Sequence, residues 1–380
     1  MNITVKPIVF KTLRENFGLP SFAAAKKLGV TEDVVRLWES EENTFDKEAL
    51  KEIAKFYKRH WSVFLLKEPV AKKGKKQTDL RSSNAIEFSY DTLSAFHYAE
   101  RVLETSKEIS GNTLSKNLGK YLSSNLTLMD IDELTESVRA TLNFSITEQI
   151  KSGNSFSAFK GWVDAIEGLG IYVLQMKMPL DEVRAFTITE KNRAVIVINS
   201  ADYVNSKIFS IIHELAHILM GTSAICDMKP SDILLKKVPS VEIFCNRFSG
   251  NLLLPRSVFA NDNVIIKEPF NADVLRDFSR KYNVSEYVTL RRLLALRVIN
   301  EEGYSKKQDE LLKALKDKKP DFFPNKNTYT KSLIKKNSKK LTSELFNRIY
   351  ENKISYAEVR RVLHMKSTQI ARVESLIEHG

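Results

Sequence analysis

Cysteine is almost absent: two in 380 residues, Cys226 and Cys245. A disulfide framework is thereby excluded, which suits a reducing compartment and leads us to expect a cytoplasmic protein. Long apolar runs are absent too, and none approaches the ~20 residues that a bilayer span needs. The opening MNITVKPIVFKTLREN has no long apolar core followed by a small-residue cleavage site, so it does not read as a secretory signal. Negative charge is in deficit, with 47 Asp and Glu against 59 Lys and Arg and a formal net charge of +12. That balance favours an acidic partner, nucleic acid first; a solvated lysine surface is the plainer reading.

Three kinds of pattern fill the chain. Residues 1–66 read as a helical unit. In SFAAAKKLGVTEDVVRLWES, Ser21 can cap one helix, Gly29 can take the left-handed turn and Thr31 can cap the next. Ala24, Leu28, Val30, Val35 and Trp38 then form an inner face, and Leu50, Ile53, Ala54 and Tyr57 repeat the pattern in DKEALKEIAKFYK. Residues 67–83 are basic and punctuated by Pro69 and Gly74, a linker composition. Residues 84–155 are mostly helical in pattern. After Gly168 the stretches GIYVLQM, RAFTIT and RAVIVIN are rich in β-branched and aromatic residues and predict strands. Helices are predicted at about 203–220 and 240–254, and two more joined near Asn283. A Lys-, Asn- and Pro-rich segment follows Lys316 to about residue 340, and the remainder is helical.

The predicted helix 203–220 contains FSIIHELAHILMG, an apolar run with three ionisable side chains set into it. Burying such groups costs free energy unless something compensates. Residues four apart share a helix face, so His213 and His217 point the same way, at a spacing that suits one tetrahedral metal. Glu214 sits beside the first histidine and can reach water at that metal. This is His-Glu-x-x-His, the arrangement of zinc peptidases. A catalytic zinc needs a third protein ligand and an open position. Glu242, which opens VEIFCNRFSGNLLLP, is the best candidate; a first-turn carboxylate favoured by the helix dipole is the plainer account of it. Cys245, one turn later, can compete as a soft ligand, although a small buried residue is its simpler role. Cys226 has no clear claim.

Residues 160–260, extending arguably to 300, resemble the ImmA/IrrE family of metallopeptidases. FKGWVDAIEGLGIYVLQ, RAFTI, AVIVINSAD, IFSIIHELAHILMG and VEIFCNRFSGNLLLP follow the family's order and spacing. The resemblance implies zinc held by His213, His217 and Glu242, with Glu214 as general base. Ser210 stands where Thr is usual and Cys245 where Ala is usual; neither change removes a ligand. In zinc peptidases an edge strand beside the metal commonly pairs with the substrate backbone. Ala194, Val195, Ile196, Val197, Ile198 and Asn199 are expected to form that edge. Arg184, Tyr203 and Asn246 are candidates for stabilising an oxyanion.

AAKKLGVTEDVVRLWE resembles the lambda-repressor, or XRE, type of helix-turn-helix, a module often found in front of this peptidase. Its second helix, Thr31–Ser40, would enter the major groove. Thr31, Arg36, Lys26 and Lys27 are the candidate DNA contacts, with the lysines at 72–76 as further phosphate partners. Glu32 and Asp33 open that helix and would repel phosphate, so docking on a protein is the competing role.

The expected fold is α+β and mostly helical. It comprises a helix-turn-helix domain (1–66), a linker (67–83), a helical connecting region (84–155), a zincin-like peptidase domain with a small sheet (156–300) and a helical C-terminal region without an assigned role (301–380). The expected function is a zinc endopeptidase that cleaves a repressor-type transcription factor. The alternative is a DNA-binding regulator or antitoxin-like protein whose metal site is structural.

Overall fold

Alternating exposure from Asn2 to Val5 turns Ile3 and Val5 inward and makes β1 (Asn2–Val5), the first element of the computed structural model. The structure describes residues 2–57, 59–66, 88–109, 114–122, 126, 129–221, 224–226, 240–316 and 328–378. The linker expected at 67–83, with its lysines, lies outside them. The chain forms two compact units, residues 1–98 and 99–380.

The first unit is helical apart from one strand pair, β1 with β2 (Asn43–Asp46), antiparallel, Ile3 opposite Phe45. A helical unit was expected, and this pair is added to it; strands of four residues are too short for a period to register. Pro7 opens α1 (Pro7–Phe17), and Gly18, at φ 78, ends it. In α2 (Ser21–Leu28) Pro20 holds the N-cap position, so Ser21 begins the helix rather than capping it. Gly29 takes the left-handed turn at φ 72, as its type allows. Thr31 occupies the N-cap of α3 (Glu32–Ser40) without a side-chain hydrogen bond to the helix. Ala24 and Val35 are buried, and Trp38 packs on Phe10 and Phe45 with ring centroids 5.4 and 5.3 Å away. Leu50, Ile53 and Ala54 of α4 (Lys47–Phe56), with Tyr57, are buried as their spacing predicts.

Helix α5 (Tyr90–Ile109) begins in the first unit and ends in the second, where α6 (Lys116–Leu122), α7 (Ile131–Leu142), α8 (Ile146–Lys151) and α9 (Ser155–Gly168) precede a mixed sheet. Its strands are β3 (Tyr172–Met176), β4 (Ala185–Glu190), β5 (Arg193–Asn199) and, beyond α10 (Val204–Leu219), β6 (Ala224–Cys226). The spatial order is β3-β5-β4-β6, with β3 parallel to β5 and the other pairs antiparallel. One core joins this sheet to α9, α10 and α11 (Ser240–Leu253), with Trp162, Ile196, Ile212 and Phe248 fully buried.

Helices α12 (Arg256–Ala260), α13 (Asn263–Lys267), α14 (Ala272–Lys281), α15 (Glu286–Ala295) and α16 (Glu301–Lys316) follow. Asn283, at φ 54, makes the junction between α14 and α15. Then come α17 (Thr328–Asn337), α18 (Lys339–Tyr350), α19 (Tyr356–Leu363) and α20 (Ser367–Glu378). Helix α17 falls in the stretch read as Lys-, Asn- and Pro-rich. It and α18 pack on β3. The architecture is therefore α+β and mostly helical, and the boundaries expected near 155 and 300 fall inside the second unit.

Two polar devices fix the helices around the site. The carbonyls at the C-terminal end of α11 have no intrahelical partners. Arg139 Nη2 donates to Leu252 O, Gln149 Nε2 to Leu253 O at 3.2 Å, and Arg292 Nε to Leu254 O at 3.0 Å. Burial lowers both guanidinium pKa values to about 10, yet each stays charged at neutral pH and suits the negative end of the helix dipole. Gly250 makes room for the second: a Cβ there would come within 3.1 Å of Arg292 Cδ. Elsewhere in the unit, Glu167 at the end of α9 accepts from the Ser338 hydroxyl and from Lys340 N–H at 3.1 Å, the N-terminus of α18. Ser338, at φ 65, is also the N-cap of α18, its side chain accepting from Leu341 N–H.

Candidate metal centre

Helix α10 is buried from Ile211 to Leu219 because it lies on β4 and β5 with α9 and α11 against it. Helical spacing brings the His213 and His217 Nε2 atoms to 3.2 Å from each other. Helix α11 presents Glu242 in its first turn. Its Oε2 lies 3.2 Å from His213 Nε2 and its Oε1 3.2 Å from His217 Nε2. Burial acts to raise the Glu242 pKa, but hydrogen bonds and charge from the two imidazoles outweigh it and hold the carboxyl at about 2. Burial likewise acts to lower His217; its bond to Glu242 and the charges of Glu214 and Glu242 outweigh this and raise it.

Glu214, the next residue along α10, is fully buried, and its charge acts on both His217 and Cys245. The Thr187 hydroxyl on β4 donates to its Oε2 at 2.7 Å. Sequence reasoning did not find Thr187. It is one polar residue in a strand buried on both faces, and nothing local marks it as the partner of a side chain 27 positions away. Cys245, also fully buried, carries the remaining donor: its sulfur and one ring nitrogen each of His213 and His217 all lie within 4.8 Å of one another. Burial, then the carboxylates of Glu242 and Glu214, push its thiol pKa up.

This donor set fits a metal ion. Two ligands each about 2.0–2.1 Å from one tetrahedral ion lie about 3.3 Å apart. The two Nε2 atoms are 3.2 Å apart, and each lies 3.2 Å from one Glu242 oxygen, Oε2 at His213 and Oε1 at His217, so the carboxylate can reach the ion through either oxygen. Two imidazole lone pairs facing each other at that distance repel unless a proton or a cation lies between them, and a cation also answers the cost of burying the group.

The other predicted residues lie elsewhere. The segment Ala194–Asn199 is not an edge: β5 pairs with β3 on one side and β4 on the other, so its backbone cannot take a substrate strand. That expectation is corrected by the strand order, which chain order alone does not give. Asn199 is instead a loop organiser, donating to Met178 O at 2.9 Å and Val183 O at 2.8 Å. Arg184 Nη1 donates to both carboxylate oxygens of Asp202, at 3.0 and 2.9 Å. Arg184, Tyr203 and Asn246 line one broad groove that also takes in Phe209 and Ser210, one turn before His213. Thr31, Arg36, Lys26 and Lys27 are exposed in the first unit. Arg36 pairs with Glu32 at 2.7 Å, and Lys27 lies 3.3 Å from Asp91. Cys226 lies on β6. No described helix is long and apolar enough to cross a membrane.

Residues 166–294 match the family model described as the IrrE N-terminal-like domain, peptidase family M78. The matched segment runs from the end of α9 through α15 and so includes both helices of the centre. It supports a metallopeptidase of the ImmA/IrrE type. No curated protein and no solved structure matches the chain.

Proposed function

We propose that the chain is a zinc-dependent endopeptidase in which His213, His217 and Glu242 hold the metal and Glu214 is the general base. The observation that carries this reading is two imidazole nitrogens 3.2 Å apart, each 3.2 Å from one oxygen of the Glu242 carboxylate, with a second carboxylate, Glu214, directly after His213 on the same helix. Zinc, when bound, supplies a Lewis acid that polarises a peptide carbonyl and makes water easier to deprotonate. The chain's own groups do the rest. Glu214 accepts the proton of the attacking water and passes it to the leaving amine. Thr187 fixes the rotation of the Glu214 carboxylate by donating to Oε2. The apolar packing of α10 keeps bulk water from the base.

The substrate, on this reading, is a repressor-type transcription factor of the helix-turn-helix kind, cut at a flexible segment in the cytoplasm. The family match and the resemblance of the first unit to a helix-turn-helix support that class. On the same reading the first unit contacts DNA through Thr31, Arg36, Lys26 and Lys27. The Arg36–Glu32 pair must open for Arg36 to reach a phosphate. The test compares cellular protein termini in cells expressing the wild type and Glu214→Gln. New termini on one transcription factor, present only with the wild type, are expected. Identical termini under inducing stress would point to a DNA-binding regulator with a structural metal.

A further inference from the structure

Glu242 and Cys245 leave α11 one turn apart, so carboxylate and thiol project from one helix face toward the same two imidazoles. They approach at different depths. The Glu242 side chain is 16% exposed and forms the rim, whereas Cys245 is fully buried and forms the floor. The thiol belongs to no disulfide. Its sulfur and one ring nitrogen from each histidine lie within 4.8 Å of one another. A nitrogen and a sulfur bound to one tetrahedral zinc, at about 2.1 and 2.3 Å, stand about 3.6 Å apart. Closing a sulfur–nitrogen separation from 4.8 Å to that value takes at most about 1.2 Å of side-chain movement.

We propose that Cys245 is a fourth protein ligand of the metal, completing a His213–His217–Glu242–Cys245 set. The inference rests on the metal-centre reading above. On binding, the S–H bond breaks, the proton goes to solvent and the sulfur pair is donated to the metal. Such a floor has two consequences. A thiolate selects soft and borderline ions such as zinc and cobalt over magnesium and calcium. A fourth protein donor also closes the resting site, so cleavage requires the thiolate to leave or the metal to accept a fifth ligand. Plain packing of a small buried residue, the competing role, predicts no sulfur–metal bond.

The test needs no substrate. Full-length protein is stripped with a chelator and reloaded with cobalt alone. Visible ligand-field bands report the metal, and a near-ultraviolet sulfur-to-cobalt charge-transfer band reports the thiolate. Both bands are expected in the wild type. Cys245→Ser and Cys245→Ala should keep the visible bands and lose the near-ultraviolet one, while Cys226→Ser keeps both. Visible bands without the charge-transfer band, or a charge-transfer band lost only in Cys226→Ser, overturn the proposal and leave the metal centre standing. Visible bands that are missing, or that survive His217→Ala, overturn the metal centre itself and this proposal with it.

Discussion

Glu242 and Glu167 are both largely buried carboxylates of the second unit, and they end on opposite sides of the ordinary carboxylate value. In each, burial is the largest influence and acts to raise the pKa. Glu242 faces two imidazoles, which overcome burial and hold it at about 2. Glu167 receives neutral donors, the Ser338 hydroxyl and the N–H groups of Lys340 and Val173, and remains raised to about 7. Neutral hydrogen bonds can organise a buried acid, but they do not keep it charged; a cationic neighbour does. The first arrangement gathers metal donors, and the second ties the C-terminal helices to α9.

The largest effect on stability is expected at the far end of the helix that carries Glu242. Arg139→Ala removes the donor to Leu252 O, Phe144 O and Gln149 Oε1 in one step. Leaving those buried acceptors unpaired should cost about 3 kcal/mol or more, measurable by urea unfolding. If stability is unchanged, α11 is held by apolar packing alone, and its N-terminal carboxylate needs another explanation for its fixed position.

Glu167 sharpens the other half of the comparison. Its folded pKa lies above the ordinary value of 4.5, so the fold prefers it protonated. Its contribution to stability is complete below about pH 4.5 and is lost as pH rises through about 7. The loss should approach about 3 kcal/mol. Glu167→Gln should flatten that part of the stability–pH curve. A variant whose curve overlays the wild type would show that Glu167 is ionised throughout, and the contrast with Glu242 would fall.

A smaller effect is expected at the third buried acid. Thr187→Val keeps the shape of the side chain and removes the donor to Glu214 Oε2. Peptide cleavage should fall about 10–100-fold with metal content unchanged, as for other outer partners of a metal site. Thr187→Ser should retain most activity. Loss of metal along with activity would place Thr187 in the packing of α10 instead.

How far these features could be read from the chain follows from their range in sequence. The shared face of His213 and His217 is a four-residue fact, and helix periodicity states it directly. The strands of the sheet follow from β-branched runs, and Glu242 could be singled out because it opens a helix with an apolar face. Contacts between distant residues could not be read. Thr187 meets Glu214 only because β4 lies over α10, and Arg139 reaches Leu252 across 113 positions. Strand order belongs to the same class: β5 reads as a strand beside the metal helix, yet pairing on both sides removes it from the substrate's reach. The short pair β1–β2 fails for a different reason, since four residues carry too little alternation to identify a strand.

The central claim is that two histidines and one carboxylate hold a single metal. The direct measurement is metal content by elemental analysis of the purified full-length protein, beside His217→Ala and Glu242→Ala. The account predicts one equivalent of zinc in the wild type and a large loss in each variant. Wild-type protein that binds no zinc when it is supplied, or variants that retain a full equivalent, would contradict it.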